Sequence, residues 1–86
     1  MSSWFVYLVR CSDGTYYTGV TTDVERRVAE HNGKSGMHKG AKYTKSRRPV
    51  MLVYQEAVNN RSLAQQREYV IRRFSSTKKQ QLSQSL

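Results

Sequence analysis

The sequence predicts an α+β (α/β) fold, in which a small three-stranded antiparallel sheet is flanked by helices in the order β-β-α-β-α-α. Three observations predict it. Aromatic and β-branched residues are concentrated at Trp4–Cys11 and Tyr16–Val20, and an Asp-Gly turn signal separates the two segments. A third apolar segment, "VMLVYQEA", follows Pro49. Between and after these segments, apolar residues recur at helical spacing.

The first two segments form a predicted hairpin that turns at Asp13-Gly14. Side chains alternate between the two faces of a strand, and the first strand has consecutive apolar residues. Both of its faces are therefore apolar. A sheet with two apolar faces is expected to be covered on both sides. One face of this strand carries Val6 and Leu8, and the other carries Phe5, Tyr7 and Val9.

The first helix is predicted from about residue 23 to residue 32. Thr22 and Glu25 have the spacing of a capping box, and Gly33 is the expected end. Its apolar stripe is formed by Val24, Val28 and His31.

The last two predicted helices begin after the third strand. Ser62 and Gln65 have the spacing of a second capping box, in a helix that continues through Phe74. Thr77 and Gln80 are the expected cap of a short final helix. The predicted core stripe of the longer helix is Leu63, Val70, Ile71 and Phe74, with Glu68 on its flank.

Length, charge and cysteine content restrict the function classes. With 86 residues, one domain over 1–86 is expected. Its single cysteine, Cys11, excludes an internal disulfide and a multi-cysteine zinc site, and is compatible with a cytoplasmic location. The apolar segment near the N-terminus is too short for a membrane span. We therefore expect a soluble protein without a membrane partner.

The formal net charge of +9 indicates a polyanionic partner. An uncovered loop that only aids solubility is the alternative. Residues 34 to 48 contain no acid, and their cations are Lys34, Lys39, Lys42, Lys45, Arg47 and Arg48.

Several side chains could do chemistry, and each has a structural alternative. Tyr7 and Tyr17 stand on paired strands, but sheet tyrosines are common. Arg27 borders the apolar stripe, where it suits a phosphate, whereas its neighbour Arg26 reads as solvated. His31 is either a proton-transfer or phosphate-binding group, or a hydrogen-bonded core residue. Glu68 is either a ligand for Mg²⁺ or Mn²⁺, or the partner of a nearby cation.

Together these signals resemble the GIY-YIG nuclease superfamily, particularly its small stand-alone bacterial members. The first signature segment corresponds to "FVY" at Phe5–Tyr7, and the second to "YTG" at Tyr17–Gly19. "TTDVERRVAEHN" is similar to the family's first helix, and "RSLAQQREYVIRRF" to its glutamate helix. The departures are Phe and Val in the first segment and Thr in the second. Around Gln80, Gln81 and Ser83 we place no equivalent of a further polar residue that some relatives have.

The resemblance implies a role for each matching residue. Tyr7 helps to order the site and the attacking water, and Tyr17 is the general base or water activator. Gly19 leaves room at the strand-to-helix corner. Arg27 stabilises the phosphate charge, and His31 lies near the nucleophile or the scissile phosphate. The resemblance also implies that Glu68 holds one Mg²⁺ or Mn²⁺ ion.

These expectations combine into one leading hypothesis, an endonuclease that uses a divalent metal to hydrolyse DNA, with a setting in repair or recombination. The basic segment would hold the backbone, with Tyr43 and His38 available to stack on unpaired bases. DNA is favoured over RNA, and a protein partner could supply targeting. The alternatives are a nucleic-acid-binding module that does not cut, and a small subunit of a larger nuclease assembly.

Overall fold

A three-stranded antiparallel sheet in the order β2-β1-β3 forms the centre of the structure, a computed structural model that describes residues 3–33 and 42–84. The strands are β1 (Trp4–Arg10), β2 (Tyr16–Thr21) and β3 (Met51–Val58). The helices are α1 (Val24–His31), α2 (Lys42–Lys45), α3 (Arg61–Arg72) and α4 (Ser76–Ser83). The predicted α+β fold and element order are confirmed, and the short α2 is an addition to them.

The predicted hairpin at Asp13-Gly14 is present. Gly14 has a φ of 85°, which a residue without a Cβ adopts at little cost. The Asp13 carboxylate accepts hydrogen bonds from the backbone N–H and the hydroxyl of Thr15, at 3.0 and 2.6 Å. The hairpin pairs Tyr7 with Gly19, and this register determines which side chains meet at the site.

Each face of the sheet packs against its own cluster, as two apolar faces predict. Tyr7 and Val9 pack with Val24 of α1 on one face. On the other face, Val6 and Leu8 pack with Ala64 and Ile71 of α3, and Phe74 and Leu82 are partly buried beside them. α1 therefore covers one face of the sheet, and α3 and α4 cover the other.

Two residues of the predicted α3 stripe do not enter this core. Leu63 and Val70 are 41% and 44% exposed, whereas Ala64 and Ile71 are fully buried. The small side chain at Ala64 occupies the contact position, so the helix presents Ala64 and Ile71 to the sheet. Glu68, one turn from Ala64, is partly buried, with a side chain that is 19% exposed.

All three predicted N-caps are wrong by one or two residues. The observed caps are Asp23, Asn60 and Ser75, in place of Thr22, Ser62 and Thr77. Each observed cap accepts a hydrogen bond from the backbone N–H three residues later, so each satisfies a first-turn donor. The C-terminal end of α1 is as predicted, because Gly33 follows it with a φ of 80°.

In the described part of the chain, none of the helices has the length and apolar character needed to cross a membrane.

Candidate functional site

Tyr7 is the buried centre of the candidate site. It is 1% exposed, and its hydroxyl lies 2.7 Å from Nε2 of His31. Gly19 faces its ring from β2, and a Cβ at that position would stand 2.6 Å from Cζ of Tyr7. Gly19 therefore provides the room that the resemblance implies, and it provides that room for the Tyr7 ring.

His31 is fully buried and is bonded at both ring nitrogens. Its Nδ1 lies 2.7 Å from the hydroxyl of Thr44, on α2. Burial, with the charge of Arg27 as a second cause, lowers the pKa of His31 to about 4. The imidazole is therefore neutral at pH 7. This arrangement matches the hydrogen-bonded core residue that was one of the two alternatives for His31.

The direction of the hydrogen bonds follows from the chemistry of Tyr7. Burial raises the pKa of Tyr7 to about 12, against the lowering effect of Arg27, and the charges of Tyr17 and Glu68 contribute further to the rise. The Tyr7 phenol is therefore protonated at neutral pH, and Nε2 of neutral His31 can accept its proton. In the tautomer in which Nε2 accepts from Tyr7, His31 carries its own proton on Nδ1 and donates it to the hydroxyl of Thr44.

Arg27 is oriented by an acid of its own helix. Its Nη1 lies 2.9 Å from Oε1 of Glu30, and its side chain is 27% exposed. Burial opposes the charge of Arg27, but the interactions with Glu30 and Tyr7 outweigh it and raise the pKa of the guanidinium. Arg26 is 58% exposed, with Glu30 at 3.8 Å, as expected for a solvated residue.

A cleft of about 260 Å³ opens along the outer edge of β2. The ring of Tyr17 lies there, stacked with Tyr43 at 5.9 Å between centroids and edge-on to His31 at 5.2 Å. Burial, with Arg72 as a second cause, lowers the pKa of Lys79 in the wall of the cleft. The lining residues are Tyr16, Tyr17, Thr18, Tyr43, Arg72 and Lys79.

Glu68 reaches this edge from α3, on the opposite face of the sheet from Tyr7. Its side chain is 19% exposed, and its Oε2 accepts a hydrogen bond of 2.9 Å from Arg72, which lines the cleft with Tyr17. The charge of Glu68 acts on the pKa of Tyr7, as do Tyr17 and Arg27. Arg27, Tyr17 and Glu68 therefore each influence Tyr7 electrostatically, although Glu68 lies on the other face of the sheet.

Glu68 would offer a metal ion a single carboxylate. Within residues 3–33 and 42–84, no group of three or more His, Cys, Asp or Glu side chains is arranged to hold a metal ion. Mg²⁺ does not require such a cage, since it keeps several waters and is often bound through one or two carboxylates and a substrate phosphate. Glu68 has its second oxygen, Oε1, for this purpose while Arg72 engages Oε2.

The cations of the predicted phosphate-binding segment, residues 34 to 48, differ in their exposure and in their partners. Lys34 and Lys39, together with His38, lie outside the described residues. Lys42 and Lys45 are exposed on α2.

Arg47 and Arg48 instead make contacts within the protein. Arg47 pairs with Asp13 at 3.0 Å and lies 3.9 Å above the ring of Tyr43. Arg48 donates to the backbone carbonyl of His31, at the end of α1. Their cations already have partners within the protein, so the exposed lysines are the better candidates for phosphate contacts.

Sequence reasoning missed Glu30, Thr44 and Lys79. Glu30 could have been found, since it follows Arg27 by three residues on the same helix. Thr44 and Lys79 gave no signal, because their positions depend on how α2 and α4 pack near β2.

Comparison with known proteins identifies the family of the chain. The chain is 56% identical over 80 residues to the UPF0213 protein DP2720 of Desulfotalea psychrophila, covering 93% of this chain and 70% of that protein. It is 53% identical over 79 residues to the UPF0213 protein SH2523 of Staphylococcus haemolyticus, covering 92% of each.

Two solution structures are also similar. The protein EF2693 of E. faecalis matches with a TM-score of 0.62 and 36% identity, covering 99% of this chain and 86% of that chain. The UPF0213 protein BH0048 of Bacillus halodurans matches with a TM-score of 0.54 and 41% identity, covering 93% and 81%. The model of the GIY-YIG catalytic domain matches residues 3–81. The chain therefore belongs to the GIY-YIG family, a family of nucleases, as its two tyrosine segments predict.

Proposed function

We propose that this chain is a divalent-metal-dependent endonuclease that hydrolyses phosphodiester bonds in DNA, in the cytoplasm and in the setting of DNA repair or recombination. The observation that carries the proposal is the cleft at the β2 edge, which is lined by Tyr17 and by Arg72, the hydrogen-bond partner of Glu68. The charges of Arg27, Tyr17 and Glu68 also act on the pKa of Tyr7. Family membership supplies the reaction class.

The two tyrosines have different roles in this proposal. Tyr17 stands in the cleft wall, where its hydroxyl orients the attacking water and relays a proton: it accepts one from that water as it releases its own to solvent. Tyr7 stays protonated, because the buried phenol has a pKa of about 12. Its hydroxyl, fixed by His31 at 2.7 Å, contributes position and not ionisation. His31 is accordingly a positioning residue, which acts through Tyr7.

In this proposal, Arg27 and a metal ion held by Glu68 stabilise the negative charge of the phosphate. Arg27 remains cationic throughout the reaction and stabilises charge that develops on the phosphate oxygens. A Mg²⁺ or Mn²⁺ ion held by Glu68 would supply Lewis-acid charge for the phosphate or the leaving 3′ oxygen. Arg72 holds one oxygen of Glu68 and so orients the carboxylate.

Contacts to the DNA would come from α2 and the cleft wall. Lys42 and Lys45 are exposed and can approach phosphates, and Tyr43 is 37% exposed beside Tyr17. The ring of Tyr43 could stack on an unpaired base. A protein partner for targeting remains part of the proposal.

A matched pair of variants tests the proposal. Glu68 and Glu56 are both partly buried, at 19% and 21% exposure, and each pairs with an arginine at 2.9 Å. Glu68→Gln should abolish cleavage, whereas Glu56→Gln, on β3, should retain it. The assay is cleavage of linear, single-stranded and branched DNA with Mg²⁺, with Mn²⁺ and with chelator. Equal cleavage by the parent and Glu68→Gln would reject the assigned site.

One observation favours a second candidate, a nucleic-acid-binding module that does not cut. The Glu68 carboxylate is already neutralised by Arg72, as a structural ion pair would be. In that case the parent would bind every DNA of the panel and leave each one whole in the presence of either metal. Cleavage only after addition of a co-purified protein would instead identify a subunit of a larger assembly.

A further inference from the structure

A second cavity, of about 360 Å³, lies on the α3/α4 face of the sheet beside the β2-edge cleft. Its walls come from the β1–β2 hairpin, from α4, and from Met51 and Val53 of β3. Tyr16 lines both cavities, so they meet at this ring. The polar residues of the walls that are considered as ligand contacts are Arg10, Tyr16, Thr77, Gln80, Ser83 and Gln84.

Arg10 differs from the other arginines of the chain. The chain has nine, and all lie within the described residues. Eight of them contact a carboxylate, a backbone carbonyl or an aromatic ring. In the described part of the chain, Arg10 has no such partner, and it is exposed at the end of β1. Its guanidinium is therefore available to a ligand.

The chemistry of the walls selects the ligand. None of the described residues that line the cavity is an acid, so the charge of Arg10 is not offset there. A guanidinium suits a phosphate, and the amides of Gln80 and Gln84 can both donate to and accept from the edge of a base. The Tyr16 ring, directly opposite Arg10 across the hairpin, offers a stacking surface.

We propose that this cavity binds an unpaired nucleotide of the same strand that is cut in the β2-edge cleft. Arg10 contacts its phosphate, Gln80 and Gln84 contact the base edge, and Tyr16 separates it from the scissile position. The inference rests on the proposed function for the identity of the strand, and it specifies the substrate class as DNA with a single-stranded segment next to the cleavage site.

A charge-matched pair of variants tests the cavity. Arg10→Gln and Arg61→Gln each remove one positive charge, but Arg61 lies over the ring of Trp4, at the opposite end of β1. A strand of this length separates the two ends by about 20 Å. Binding is measured by fluorescence anisotropy in chelator at fixed salt, with a blunt duplex and with the same duplex carrying a single-stranded tail.

Arg10→Gln should weaken binding of the tailed duplex by about tenfold, because it removes a charge-assisted phosphate contact. Arg61→Gln should weaken it by no more than about twofold, as a general charge effect. On the blunt duplex the two variants should behave alike. Equal losses by both variants on the tailed duplex would overturn the proposal.

A second measurement does not depend on any variant. Titration of the ¹⁵N-labelled parent with the oligonucleotide (dT)₄ should shift the side-chain amide signals of Gln80 and Gln84. Unshifted signals at saturation, or an absence of binding, would overturn the proposal. Neither measurement requires cleavage, so a chain that never cuts but shows these results refutes the nuclease and keeps the cavity. A chain that cuts DNA but gives neither result keeps the nuclease and refutes the nucleotide-binding cavity.

Discussion

Lowering the pH from 7.5 to 5 should destabilise the folded chain through His31. This side chain is fully buried, and its pKa falls from 6.5 to about 4 on folding. Between these two values the unfolded chain binds a proton at this residue and the folded chain does not. The free energy of unfolding therefore decreases as the pH falls through this range.

The size of the effect follows from the two pKa values. Each unit of pKa difference corresponds to about 1.4 kcal/mol, so the complete effect is about 3 kcal/mol. At pH 5 about 2 kcal/mol of it should be lost. That is a large fraction of the roughly 5 kcal/mol expected for a small domain.

Urea unfolding at pH 7.5, 6.5, 5.5 and 5 measures this loss. His31→Gln cannot titrate at this position, so its stability should change little over the same range. His38→Gln is the matched control and should keep the slope of the parent. The reasoning is refuted if the stability of the parent is constant between pH 7.5 and 5, or if His31→Gln shows the same slope as the parent.

Three other substitutions have defined outcomes. Gly19→Ala should cost about 1–3 kcal/mol in urea unfolding, because the new Cβ overlaps the Tyr7 ring; an unchanged midpoint would contradict the observed packing. Tyr7→Phe should cost about 1 kcal/mol, since it removes the buried hydrogen bond between the Tyr7 hydroxyl and His31. The same unfolding assay measures it, and a gain in stability would refute the assigned hydrogen bond. Tyr17→Phe should leave the unfolding midpoint within about 1 kcal/mol but reduce cleavage at least about 100-fold, a split that a purely structural tyrosine would not produce in kcat.

Local patterns predicted most of the fold. The two-sided apolar strand at Val6–Val9 and the turn at Asp13-Gly14 are short-range features, so they specify the hairpin directly. Helix starts were misplaced because several adjacent polar residues can cap, and tertiary packing selects among them. The exposed Leu63 shows the same limit, since its burial depends on how α3 is rotated against the sheet.

The candidate site was predictable where it rests on the signature segments and their helices. Tyr7, Tyr17, Arg27 and Glu68 were identified through the family resemblance, and the charges of the other three act on the pKa of Tyr7. The residues that support the site from behind, such as Thr44, could not be predicted. Thr44 contacts His31 across a sequence separation of 13 residues, and no local pattern encodes such a contact.

The close fit between Gly19 and Tyr7 restricts how this corner could change during evolution or engineering. Trimming the ring while the glycine remains leaves a buried void, which costs about 3–5 kcal/mol for a large aromatic side chain. The glycine cannot gain a methyl group while the ring remains, since Cζ and Cε1 of Tyr7 would lie 2.6 and 2.9 Å from it. Each change made alone therefore costs stability, so neither position offers a favourable first step, and a library that randomises Gly19 alone should return mostly glycine.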